Sequence, residues 1–116
     1  MDAISWAVVI AVATSPVLAF TGDATWYAEP YVGRPMRNGD VYTGTGLTCA
    51  VDGIVWRMFA GKMLLVCAGM RCVTCTVTDT GRLWQAGVAL DLSPAVFARL
   101  APLAQGRVDV RAWVLR

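Results

Sequence analysis

Arg71-Cys-Val-Thr-Cys-Thr-Val-Thr-Asp-Thr-Gly81 is the stretch on which the reading of the fold turns. Cys72, Thr74, Thr76 and Thr78 fall on one side, and Val73, Cys75, Val77 and Asp79 on the other. A period of two filled with β-branched residues predicts a strand. This strand ends by delivering a carboxylate, Asp79, against a Thr-Gly turn. Arg82-Leu-Trp-Gln-Ala-Gly87 then reads as a short loop, and Val88-Ala-Leu-Asp-Leu-Ser93 as a second apolar run that leads into a helix. An acid where a strand meets its loop is a candidate site, and the rest of the chain reads as built around this pair.

Downstream, Ser93 is a good helix N-cap and Pro94 suits the first helical position. Val96, Phe97 and Leu100 lie three and four apart on one face, and Pro102 ends the helix. Arg107 to Leu115 predicts a last strand, with Val108, Val110, Ala112 and Val114 inward and Arg107, Asp109, Arg111 and Trp113 outward. Upstream, Met63-Leu-Leu-Val-Cys67 reads as a strand buried on both faces. Ile54-Val-Trp-Arg-Met-Phe59 reads as strand or extended chain, and Ala24-Thr-Trp-Tyr-Ala28 as the first strand. Between them, Pro30 to Gly46 is loop-like, with Asn38-Gly39 as its turn dipeptide.

A chain of 116 residues is one domain. Its net charge of +2 and the lack of any Lys/Arg run give no nucleic-acid footprint. A mildly basic domain does suit an anionic polymer. With no His, a Ser-His-Asp arrangement is excluded and the commonest metal ligand is missing. No nucleotide-binding loop is present, so no cofactor and no metal is expected.

Met1 to Phe20 is apolar, with small residues at Val17-Leu-Ala19 where a signal peptidase would cut. Residues 1–20 therefore read as a cleaved signal peptide, an uncleaved membrane anchor or an inner packing segment of a particle, and residues 21–116 as the folded domain. Four Cys behind such a segment suit an oxidising compartment, hence export. Cys67-Ala-Gly-Met-Arg-Cys72 reads as a hairpin that sets its two Cys opposite each other. Cys49 and Cys75 are left to form the second disulfide. Cys72-Val-Thr-Cys75 has zinc spacing, but the two Cys point to opposite faces of a strand.

Thr21-Gly-Asp-Ala-Thr-Trp-Tyr27, Asn38-Gly-Asp-Val-Tyr42, Val77-Thr-Asp-Thr-Gly81, Ala89-Leu-Asp-Leu-Ser-Pro94 and Gly106-Arg-Val-Asp-Val-Arg111 occur in a telling order. In that order the chain resembles the RlpA-like (rare lipoprotein A) double-psi β-barrel family, kin to the expansin-like barrels. The resemblance implies an all-β fold: a six-stranded double-psi β-barrel with one short α-helix, preceded by the apolar N-terminal segment. It also implies a cell-wall glycan, peptidoglycan above all, as ligand. The family's reaction would be lytic transglycosylation, with Asp79 as general acid/base. Such a reaction needs only one acid, because the sugar's own 6-hydroxyl attacks in place of water, whereas glycoside hydrolysis usually takes two.

The acid must hold its proton, through partial burial or a neighbouring carboxylate such as Asp40. Asp40 follows Asn38-Gly39 and on sequence grounds reads first as a turn cap. Its place beside the groove comes from the resemblance, as does that of Tyr27 over Trp26. Where the family has His stands Val51, and Asp52 next to it is the candidate substitute. The Arg that follows the family's acid is gone, and Arg82 appears two residues late. Trp84, close behind Asp79, is the candidate sugar platform. Asp91, between Leu90 and Leu92 just before an N-cap, reads as a buried structural carboxylate. Two other readings share these residues: a non-catalytic expansin-like glycan-binding module, and a structural or interaction protein of a virion or secreted complex.

Overall fold

A computed structural model describes residues 16–115. Six strands close into a barrel: β1 (Val17–Trp26), β2 (Thr48–Asp52), β3 (Met63–Ala68), β4 (Arg71–Gly81), β5 (Val88–Leu92) and β6 (Arg107–Val114). Around the barrel the order is β1-β5-β2-β4-β3-β6. β1 runs parallel to β5 and β2 parallel to β4, while the other four contacts are antiparallel. The fold is the expected six-stranded double-psi β-barrel.

Alternation decides what fills it. Val73, Cys75 and Val77 of β4 point inward, as do Val88, Leu90 and Leu92 of β5 and Val110 and Ala112 of β6. Phe20, Val51, Leu64, Val66 and Phe97 complete the core. β3 obeys the same rule. Leu64 and Val66 are buried and Met63 is exposed, so this strand has one buried face and not the expected two. The helix after β5, α2 (Pro94–Phe97), is capped as its sequence predicts. Ser93 Oγ accepts from Val96 N at 3.3 Å and donates to the Gly46 carbonyl at 2.6 Å.

Other expectations are corrected. Ile54 to Phe59 is helical: a 3-10 turn over Gly53–Val55 leads into α1 (Trp56–Phe59). The cause is local, because the Asp52 carboxylate accepts from Ile54 N at 3.0 Å and starts a turn that β-branched composition alone would not favour. The barrel also begins earlier than residue 21. Val17 to Phe20 belong to β1 and pair with β6, and Phe20 packs against Phe59 at 4.8 Å between ring centroids. The rest of the leader segment, residues 1–15, lies outside the described residues. Among those described, no helix is long and apolar enough to cross a membrane.

Cys67 and Cys72 face each other across the β3–β4 hairpin and are joined by a disulfide, with Gly69 at φ +59° turning the tip. Cys49 and Cys75, expected to form the second bridge, are free thiols in the core. They lie on neighbouring strands, but the register sets Cys49 opposite Val77, two residues past Cys75. The Cys49 thiol donates to the Thr76 carbonyl at 3.7 Å. Its hydrogen bond with Cys75, and then burial, push it well above the ordinary thiol range.

Between Cys49 and Ala50 the β2–β4 register slips. Cys49 lies opposite Val77 and Ala50 opposite Asp79, which leaves Thr78 as an extra residue on β4. Such a bulge bends a strand and re-aims the side chains beyond it. Thr78 is itself buried, against Met36. Asp79 therefore leaves the core side that strict alternation with Val77 would give it, and comes to line a surface pocket.

Candidate functional site

Ala50 sits in register between Asp79 of β4 and Asp91 of β5. Two carboxylates on strands that flank a common neighbour are separated by two strand spacings, roughly 10 Å between Cα atoms. Their side chains converge on a pocket of about 260 Å³, whose floor is Ala50 and whose walls include Tyr27, Tyr31, Arg34 and Tyr42. The small Ala50 side chain leaves that floor open.

Each acid is held differently. Asp79 Oδ1 accepts from the backbone amides of Arg37 and Thr80, both at 2.9 Å, and Oδ2 accepts from the Tyr27 hydroxyl at 3.3 Å. Asp91 Oδ1 accepts from the Thr25 hydroxyl at 2.8 Å. Burial pushes the Asp91 carboxyl up to about 6, against the Thr25 hydrogen bond and with the negative Asp79 adding to the rise. Tyr27 is raised by burial and then by Asp79, and Tyr42 by burial and then by Asp91, so both keep their protons. The two rings stack, 4.4 Å between centroids and 9° from parallel, and the Tyr42 hydroxyl donates to the Tyr27 carbonyl. Tyr31 packs edge-on against Tyr27 at 5.8 Å.

The loop that carries these aromatics is tied to the bulge on β4. Asn38 N donates to the Thr78 carbonyl at 3.1 Å, one residue from the amide that grips Asp79. Asn38 Nδ2 in turn donates to Asp40 Oδ2 at 3.1 Å. Asp40 is thus an exposed turn residue outside the pocket, and the carboxylate that faces Asp79 is Asp91. Asp52, the candidate substitute for His, is engaged elsewhere. It accepts from Ile54 N, Leu83 N and Trp84 N, and these amides hold its carboxyl below the usual range. Its role is to pin the loop after β4. Val51 is fully buried, and the strand phase turns Ala50, not Val51, toward the pocket.

Trp84 and Arg82 lie in an adjoining groove of about 450 Å³ together with Ile54. Gly81 lines both this groove and the tyrosine pocket, so the two adjoin there. Trp84 is 48% exposed, whereas Trp26 packs against the core and donates its indole N–H to the Leu103 carbonyl at 2.9 Å. Of the residues expected at the site, Tyr27 and Asp79 meet in one pocket, and Trp84 and Arg82 line the neighbouring one. Tyr42, Tyr31, Arg34 and the groove-facing part of Asp91 were not expected there. The Asn-Gly-Asp-Val-Tyr42 run is the one sequence signal for Tyr42, and it points first to its acid.

No protein-family model and no curated protein matches the sequence. Solved structures do. Streptomyces papain inhibitor superposes with a TM-score of 0.69 at 24% identity, covering 84% of this chain and 94% of its own. A mutant expansin of Clavibacter michiganensis in complex with cellohexaose gives 0.67 at 20% identity, and the apo expansin 0.65 at 22%. The likeness is one of fold. This chain spans about half the length of the expansin structures, covering 50% of each.

Proposed function

We propose that this barrel is an exported cell-wall glycan-directed protein, RlpA-like in its chemistry, in which Asp91 and Asp79 form a proton-transfer pair over a bound sugar. One observation carries the reading: two carboxylates on either side of Ala50 face a single tyrosine-lined pocket. Stacked tyrosines offer the flat apolar surface that a sugar ring covers, with hydroxyl groups beside it for polar contacts. A carboxyl raised to about 6 keeps a protonated fraction close to neutral pH that an ordinary Asp lacks, and exchanges its proton readily, which suits general acid/base work. Asp91 is therefore the better acid. It protonates the glycosidic oxygen as the C1–O bond breaks, then takes the proton of the sugar's 6-hydroxyl as that oxygen closes on C1. Asp79, fixed by two amides, steadies the positive charge that develops at the anomeric centre. No water is consumed, and the product is a 1,6-anhydro sugar. Peptidoglycan is the proposed substrate.

The test is digestion of purified peptidoglycan sacculi by the disulfide-bonded protein, with products read by mass. Anhydro-muropeptides that disappear in Asp91→Asn and fall in Asp79→Asn support transglycosylation. Sacculi that sediment the protein but remain intact leave a glycan-binding module. Sacculi that are neither cleaved nor able to sediment the protein would end the glycan reading.

A second reading, a barrel that binds a protein, is favoured by the tip of the β3–β4 hairpin. Met70 is completely exposed there, between two Cys that clamp the turn. The papain inhibitor's likeness to the whole barrel makes a papain-type peptidase the partner to try. Loss of inhibition in Met70→Asp would support it, and an unaffected peptidase would end it.

A further inference from the structure

The chain holds no acid between Asp52 and Asp79, and none between Asp79 and Asp91. Parts of these two acid-free stretches meet in space, and the Asp52 carboxylate joins them. It accepts from Ile54 N at 3.0 Å, in the turn before α1, and from Leu83 N and Trp84 N at 3.1 and 3.0 Å, in the loop after β4. Asp52 is itself buried, and these amides hold its charge beneath the surface they form. What stands outside is apolar and cationic. Ile54 is 81% exposed and Met58, four residues on in α1, is 66% exposed. Trp84 shares the groove of about 450 Å³ with Ile54. Arg57 of α1, Lys62 of the turn after it and Arg82 of the loop are all exposed, and among the described residues none of the three is in an ion pair.

Single exposed apolar residues are ordinary, but a cluster of them set among cations of one sign selects its partner. That partner is apolar within and negative at its boundary. A bilayer with anionic lipids has this profile. Its phosphates take Arg and Lys, whose apolar stems lie along the acyl boundary, and Trp settles at the interface. Ile54 and Met58 project, so whatever covers them must yield around them; a fluid lipid layer does. We propose that the turn before α1, α1 itself and the loop after β4 form one face that docks on an anionic lipid surface. Ile54, Met58 and Trp84 enter the headgroup layer, and Arg57, Lys62 and Arg82 meet its phosphates. The tyrosine pocket adjoins this face at Gly81 and carries its own acids, Asp79 and Asp91. A negative surface repels the Asp79 carboxylate, so the pocket stays at the edge of the contact and remains open. Neither glycan binding nor glycan cleavage enters this proposal.

The full-length, disulfide-bonded protein would be sedimented with vesicles of phosphatidylcholine alone and of phosphatidylcholine mixed with phosphatidylglycerol. The expected result is binding about tenfold or more stronger to the mixed vesicles, weakening as salt is raised. The double variant Arg57→Gln/Arg82→Gln should lower that binding about tenfold, and Ile54→Ser/Met58→Ser by a similar factor. All four side chains are exposed, so the core that positions them is left intact. Met70→Ser, at the far end of the β3–β4 hairpin, and Arg99→Gln, outside the face, should bind as the parent does. Residues 1–15 are the same in every variant, so binding that they support survives both double substitutions, and such survival overturns the proposal. Equal binding to the two kinds of vesicle overturns it too, because the cations then play no part. Binding to neither ends it and leaves the face to a protein partner.

Discussion

Asp91 is kept where a carboxylate loses much of its hydration, and its proton affinity records that. In the folded protein it titrates near about 6, above its ordinary value of 3.8. Between those values the folded chain binds more protons than the unfolded one, so stability falls as pH rises through this window and levels off above it. Two pH units correspond to roughly 3 kcal/mol, and residual solvent contact reduces the effect to about 2 kcal/mol. Asp91→Asn keeps an acceptor for Thr25 and removes the charge. Urea unfolding near neutral pH should show the variant more stable by about that amount, with the gap closing toward about pH 4. A gap of the same size at both ends of the range would assign the effect to packing instead. Asp52 works in the opposite sense. Its carboxylate is stabilised by three backbone amides, so its contribution is present above the unfolded value and is lost as pH falls through the lower folded one. Asp52→Ala should lower the unfolding temperature and raise hydrogen exchange at Leu83 and Trp84, whereas Asp40→Ala should leave both as they are.

At the scale of elements, the β3–β4 hairpin and the buried thiols of β2 and β4 make separate demands. A bridge between residues five apart closes a short loop, and its removal in the Cys67→Ser/Cys72→Ser double variant should cost about 2 kcal/mol. Thiol labelling of the unreduced protein should find Cys49 and Cys75 silent in the native state and reactive in denaturant, while Cys67 and Cys72 stay unlabelled. Native-state labelling of Cys49 would show that the β2–β4 seam opens. Much of this architecture was legible. The alternation in Arg71–Gly81, Val88–Leu92 and Arg107–Val114 fixed three strands and their inward faces, and Ser93-Pro94 fixed a helix start. The Cys67–Cys72 bridge was legible because a hairpin is local. That Cys49 and Cys75 stay unbridged was not, because β2 and β4 are distant in sequence and their offset is invisible in either strand alone. The site divides in the same way. Asp79 was readable from its own strand, but the facing position of Asp91 depends on where β5 falls against β2. Asp40 stands beside the groove only by resemblance, and the Asn-Gly turn before it already specifies its structural role.

At the scale of the molecule, closure depends on β1 meeting both β5 and β6. Phe20 sits where β1 joins this ring, 7% exposed and against Phe59. Phe20→Ala should therefore cost about 3–5 kcal/mol, as for other buried aromatics. Chemical denaturation of the full chain would measure it, and a loss below about 1 kcal/mol would mean that the start of β1 contributes little to closure. The tie between the tyrosine-bearing loop and the β4 bulge acts on a different property, the time course of recognition. Asn38 and Arg37 hold Thr78 and Asp79, Tyr42 holds Tyr27, and the Gly46 carbonyl takes the Ser93 hydroxyl, so wall and floor of the pocket are fastened to one another. A wall fastened in this way does not swing aside to admit a ligand. Capture should then proceed in a single kinetic phase whose observed rate rises linearly with ligand concentration, without the plateau that marks a slow isomerisation. Selectivity among polymers would be exercised in how long each one stays.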